Sequence, residues 1–152
     1  MSKLACLLSL LLWAMAGAAG ALAPAALTPP AAITVVLDDN YPPYVFRDSN
    51  GRVQGVLVDT WALWQARTGI KVNLLAMDWL AAQQTMQAGL VEVIDTMFKT
   101  PEREKIYDFS APYADLEVPL FFHKSIGGIV DARSVRGFTV GVKDGDACIE
   151  VL

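Results

Sequence analysis

Hydrophobic and polar positions change period several times along this chain, and each change marks an element. Ile33-Thr34-Val35-Val36-Leu37 is a short, β-branched apolar run of the kind that forms a buried strand. Asp38-Asp39-Asn40-Tyr41-Pro42-Pro43-Tyr44 breaks it with turn formers, and Asp48-Ser49-Asn50-Gly51 adds a turn whose Asn-Gly pair signals a hairpin. From Val56 to Thr68 the spacing is helical, with Leu57, Trp61 and Trp64 on one face and Gly69 as the stop. Ile70 to Leu75 returns to a strand. Asp78 then stands as the N-cap of a helix in which Trp79, Ala82 and Met86 share a face and which Gly89 ends. Leu90 to Met97 reads as a third strand, interrupted by Glu92 and Asp95. Thr100-Pro101-Glu102 predicts another helix with Pro at its first position.

Short alternation of strand and helix predicts an α/β unit on a largely parallel sheet with helices on both faces. After Pro119 the chain runs extended through Leu120-Phe121-Phe122-His123 and crosses Gly127-Gly128. A fresh unit begins at Phe138 to Val142, with Lys143-Asp144-Gly145 as its turn and the start of a further helix beyond it.

The first 32 residues follow a different logic. Lys3 precedes an uncharged run from Leu4 to Ala23, whose Leu-rich core Leu7 to Trp13 gives way to Ala and Gly. This is the layout of a secretory signal peptide, placed at residues 1–21. The run is also just long enough to span a bilayer, so an uncleaved anchor is the alternative. Residues 22–32, rich in Pro and Ala, read as a tether that neither holds a helix nor pairs in a sheet. Apolar residues fill 23 of the first 32 positions, so the overall 54% hydrophobic content belongs to the N-terminus rather than to the domain. A periplasmic location follows, with membrane attachment if the leader is retained.

Charge and chemistry narrow the function. The net charge of −4 without a Lys or Arg stripe leaves no footprint for nucleic acid. Of the two cysteines, Cys6 leaves with the leader, and the single remaining thiol, Cys148, cannot staple the domain. The lone His123 lies in an apolar run, and no cluster with metal-ligand spacing accompanies it. Gly127-Gly128 lacks the lysine and spacing of a phosphate loop, and Ser110 has no histidine near it in sequence. No catalytic residue, metal or cofactor is expected.

Taken together, the strand ending in Asp38, Tyr41-Pro42-Pro43-Tyr44, Gly51, Gly55, Asp59, Trp79, Gly89, Thr100-Pro101-Glu102-Arg103, Asp108-Phe109-Ser110 and Pro112-Tyr113 form a recognisable order. It resembles the bacterial extracellular solute-binding proteins of family 3, the polar amino-acid type. The resemblance implies a fold like that of type II periplasmic binding proteins, in which two lobes close on a small solute. Residues 33–124 would be a nearly complete lobe one ending in the first hinge strand, Leu116 to Lys124, and residues 125–152 the beginning of lobe two. On that reading the chain holds only part of the cleft, and weak or no solute affinity is expected of it alone. The wording of Asp95 to Arg103 and Ile106 to Ser110 looks like the sensor domains that precede diguanylate cyclases and histidine kinases. The leading expectation is therefore the sensory input of a signalling protein, acting on its own downstream domain. The alternatives are a component delivering an amino acid to an ABC-type membrane permease, and an enzyme on the same scaffold, such as a dehydratase or the front domain of a murein lyase.

Candidate solute contacts follow from residue chemistry within this frame. Arg103 offers a planar fork of donors for a carboxylate, and the resemblance places a carboxylate-binding Arg in this box; otherwise it is a surface residue pairing with Glu102, Glu104 or Asp108. Asp38 and Tyr41 follow the first strand, where open α/β sheets gather ligand contacts. Asp38 is suited to an ammonium and Tyr41 to stacking, unless both serve only the turn. Trp79 and Phe98 either wall a cleft or fill core, and Trp79 on its amphipathic helix leans to core. From Asp95 to Lys99, ahead of Arg103, only Thr96 supplies the small hydroxyl that the resemblance calls for. Asp146 opens the lobe-two helix, where it either caps that helix or repels an anion. These last two departures leave room for a cationic or weakly polar solute.

Overall fold

The computed structural model describes residues 28–150. The expected leader at 1–21 and the first part of the tether lie outside the described residues. A parallel sheet of three strands forms the centre: β1 (Ala32–Asp38), β5 (Lys71–Met77) and β6 (Val93–Ile94), with β1 in the middle. A meander of β2 (Asn40–Tyr41), β3 (Val45–Arg47) and β4 (Val53–Gln54) intervenes, its strands antiparallel. The Asn-Gly turn joins β3 to β4, where Asp48 Oδ1 accepts from the amides of Asn50 and Arg52 at 2.9 and 2.8 Å.

Two helices cover the sheet, one on each face. Strand side chains alternate direction, so neighbours on β1 enter opposite cores. Val35 and Leu37 pack with Val45 and with Leu57 of α1 (Val56–Thr68). Val36 packs with Trp79 and Ala82 of α2 (Trp79–Gln87) and with Val91. Val35, Val36 and Leu37 are wholly buried, as expected for a central strand covered on both sides.

Local chemistry fixes the helix ends. Asp78 caps α2 by accepting from the amides of Leu80 and Ala81 at 3.0 and 3.4 Å. At the start of α1 no side chain caps; the amides of Val56 and Leu57 donate instead to the carbonyls of Pro43 and Tyr44. That close approach needs Gly55, since a Cβ there would lie 2.3 Å from the Tyr44 carbonyl oxygen. The helix start thereby pins the Tyr41–Tyr44 loop, which contains a cis Pro42–Pro43 bond, beside the carboxyl end of β1.

Three expectations change. The third strand is paired over Val93–Ile94 rather than Leu90 to Met97. Glu92 turns its carboxylate onto the Thr34 amide at 2.7 Å, and Thr96, at φ +63°, turns the chain away. The helix expected from Thr100 is a single 3-10 turn, Arg103–Lys105. Too few residues separate Pro101 from Asp108 to repay helix nucleation, and Tyr107 is held sideways by the Gln87 amide at 2.8 Å. The segments 116–124 and 138–142 run without a ladder partner among the described residues, so neither is a paired strand. Beyond them the chain forms only the 3-10 turns Ala132–Val135 and Ala147–Glu150. Among the described residues no helix is long and apolar enough to cross a membrane.

Candidate functional site

The carboxyl ends of β1 and β6 point to the same edge of the sheet, and the charged residues of interest gather there. Asp38 ends β1 and is only 5% exposed. Its Oδ1 accepts from its own turn, the Asn40 amide at 3.1 Å, and also from the Lys143 ammonium at 2.6 Å. The turn reading of Asp38 is realised in the Asn40 contact, and its other partner is an ammonium of the chain itself. Tyr41 lies half-buried with its ring 5.3 Å from that of Tyr44, and burial, ahead of neighbouring Tyr44, raises its hydroxyl pKa.

Arg103 is not a surface residue. It is 6% exposed, and two of the three carboxylates offered as its partners are engaged elsewhere, Glu104 with Lys99 at 2.8 Å and Glu102 with Lys105 at 2.5 Å. The guanidinium lies 5.9 Å from the Trp79 ring centroid. Its Nη1 donates to the Phe98 carbonyl at 3.1 Å and its Nη2 to the Gly145 carbonyl at 2.8 Å, with Glu150 further off at 3.9 Å. Trp79 is core, as its helix face suggests, and yet its indole N–H reaches the same Gly145 oxygen at 3.0 Å.

Between these poles the chain turns at Asp95 and Thr96. The buried Asp95 carboxylate accepts from the Trp61 indole at 2.7 Å, from the Thr96 amide at 2.6 Å and from the Tyr113 hydroxyl. Thr96 spends its hydroxyl on the Asp95 carbonyl at 2.6 Å. Thr96, Phe98, Tyr41, Tyr44 and Tyr113 line a cleft of about 70 Å³. Phe98 also borders a broad apolar groove of about 990 Å³ shared with Asp146 and Cys148. Asp146 caps its own turn, accepting from the Cys148 amide at 2.8 Å, which realises the first of its two sequence readings. Among the described residues no group of His, Cys, Asp and Glu is placed to hold a metal ion.

Burial raises the Tyr113 pKa above its ordinary value, and its hydrogen bond to the Asp95 carboxylate raises it further. The folded chain then keeps this proton to higher pH than the unfolded chain, so stability is complete below the ordinary tyrosine value and declines above it. Urea midpoints are expected to fall as pH rises past about 10, and Tyr113→Phe should flatten that fall. An equally steep decline in the variant would place the titrating group elsewhere.

Sequence reasoning did not single out Lys143, Gly145 or Gln83. Gln83 is buried on α2 and donates to the Gly145 oxygen at 3.1 Å, the third donor on that one carbonyl. A buried glutamine one turn beyond Trp79 on the apolar helix face was the available signal, because such a side chain must find a partner.

Comparison with known proteins agrees with this architecture. Residues 33–147 match the family described as bacterial extracellular solute-binding proteins, family 3. The L-cystine-binding protein TcyJ of Escherichia coli (strain K12) is 28% identical over 112 residues, covering 72% of this chain and 42% of its own length. The chain therefore spans less than half of that relative. Among solved structures, an ancestral arginine-binding protein bound to arginine is 33% identical with a TM-score of 0.51, over 55% of this chain and 38% of that one. The arginine-bound form of domain 1 from TmArgBP, as a point mutant, is 30% identical with a TM-score of 0.51, over 56% and 67%. With the family match extending over most of its length, this chain belongs to the bacterial extracellular solute-binding proteins of family 3.

Proposed function

We propose that the chain is the exported recognition domain for a polar amino acid, held by opposite charges at the sheet edge. One observation carries this reading: a buried carboxylate, Asp38, and a buried guanidinium, Arg103, are close enough for a single short turn to touch both. In a solute, the ammonium falls to Asp38 and the carboxylate to Arg103, with Tyr41, Thr96 and Phe98 lining the neighbouring cleft. Relatives named for binding cystine and arginine support the solute class.

The wording of Asp95 to Ser110 supports use as a sensory input. Delivery to a membrane permease is the second reading, supported by the naming of the curated relative as a binding protein. Reading the coding frame past codon 152 separates the two: a membrane span with a signalling domain fits the first, a stop after one more lobe the second. Solute recognition itself is tested by calorimetric titration with L-arginine, L-cystine and agmatine, which is arginine without its carboxylate. A weak, saturable response to an amino acid and none to agmatine is expected. Lack of response to every amino acid once the chain is extended to the two-lobed length of its relatives, or equal responses to arginine and agmatine, defeats the proposal.

A further inference from the structure

Lys143 and Gly145 stand two residues apart in one turn, and between them they meet both poles of the site. The Lys143 ammonium lies 2.6 and 2.5 Å from the two carboxylate oxygens of Asp38. The Gly145 carbonyl oxygen accepts from Arg103 Nη2, Trp79 Nε1 and Gln83 Nε2 at 2.8, 3.0 and 3.1 Å. All four receiving residues are at least nine-tenths buried. The geometry points to an internal occupant: the turn Lys143-Asp144-Gly145 sits where a solute's ammonium and carboxylate would, and a solute binds by displacing it. This inference rests on the binding role proposed for Asp38 and Arg103.

Three observations support occupancy rather than incidental contact. First, the chemistry is that of a zwitterion, with a cation on the carboxylate and an acceptor oxygen on the guanidinium. Second, the turn fits as only glycine allows. Gly145 has φ +70°, and a Cβ there would lie 2.5 Å from Gln83 Nε2. Third, both poles are taken by the turn itself, Lys143 on the two oxygens of Asp38 and Gly145 on Arg103 Nη2, and the open groove that Lys143 borders is lined by neither Asp38 nor Arg103.

Displacement also sets the class of solute. A lone amine recovers only the Asp38 contact and a lone carboxylate only the Arg103 contact, while each must expel a turn that makes both. A zwitterion recovers both. Apparent affinity scales with the fraction of molecules with the site open, so weakening the turn, which raises that fraction, tightens binding.

The test uses the 15N-labelled chain and its Lys143→Met and Gly145→Ala variants, each confirmed as folded by amide dispersion. The Trp79 indole resonance, assigned by its loss in Trp79→Phe, is followed during titration with L-arginine, agmatine and acetate. Both variants are expected to move this resonance before any solute is added and to bind L-arginine at least about tenfold more tightly, as loss of one charged contact implies. Agmatine and acetate should fail to displace the turn in the unmodified chain. An unmoved indole in both variants shows that the turn is not in the site, and equal L-arginine affinity in all three proteins shows that it does not compete. Either result overturns the inference while leaving solute binding intact. A moved indole with no response to L-arginine in any of the three overturns the competition, and the same silence in the chain extended to the two-lobed length of its relatives overturns the binding reading itself.

Discussion

Replacing Arg103 with Ala is expected to cost about 3 kcal/mol in affinity for L-arginine or any other carboxylate-bearing solute, in line with loss of a charge-assisted contact. The guanidinium is buried against Trp79 and oriented by the Phe98 carbonyl, so once the Gly145 carbonyl has left Nη2 little further ordering is needed for a carboxylate. Arg103→Lys keeps the charge but not the fork. A lysine ammonium cannot hold the Phe98 carbonyl and a carboxylate in one plane, and it should recover only part of the loss. Calorimetry on the two variants, with thermal midpoints as a check on folding, reads the effect directly. Unchanged affinity in a folded Arg103→Ala protein removes this residue from the site.

Why Arg103 was visible in the sequence, and Lys143 was not, follows from the range of the interactions involved. Helix α1 was legible because its signals are local: apolar positions at Leu57, Trp61 and Trp64, and Gly69 ending it in a left-handed conformation. The β-branched run of β1 was equally clear. Arg103 sits in a compact box of recognisable wording and needed no partner to be noticed. The Asp38–Lys143 pair spans 105 residues, and nothing near either residue announces the other. Lys143 and Gly145 read as ordinary turn formers, because conformational preference describes how a turn closes and not what it closes upon.

The shortened third strand makes the same point from the other side. Leu90 to Met97 has a strand's composition, but pairing length is decided by neighbours. Glu92 is drawn to the Thr34 amide and Asp95 to the Trp61 indole, two tertiary contacts that propensity does not encode. Trp79 was likewise half legible. Its apolar ring follows the helix face into the core, while its N–H partner belongs to a segment 66 residues away.

Asp95→Ala is expected to be the most damaging single change to stability, lowering it by about 3 kcal/mol through the hydrogen-bond groups it strands. The carboxylate ties together three parts of the chain: Trp61 on α1, Thr96 at the turn after β6, and Tyr113 on the extended segment. Removing it leaves the partly buried Trp61 indole N–H and Thr96 amide without their acceptor, and the positive φ of Thr96 loses the contact that holds it. Asp95→Asn retains one acceptor oxygen and nearly the same shape. It should cost less, about 1–2 kcal/mol, because the Oδ1 side, which takes Thr96 and Tyr113, can stay bonded and only the Trp61 indole N–H, now facing the amide N–H₂ donor to donor, loses its acceptor. Urea titrations of the two variants separate these outcomes. Equal losses for Ala and Asn would mean that the negative charge, not the number of acceptors, holds the turn, and a negligible loss for both would mean that Trp61 and Thr96 find water once the carboxylate is gone. The consequence for recognition is direct: the turn after β6 carries Phe98 toward the Arg103 guanidinium, so loosening Asp95 should weaken solute binding without touching either charged pole.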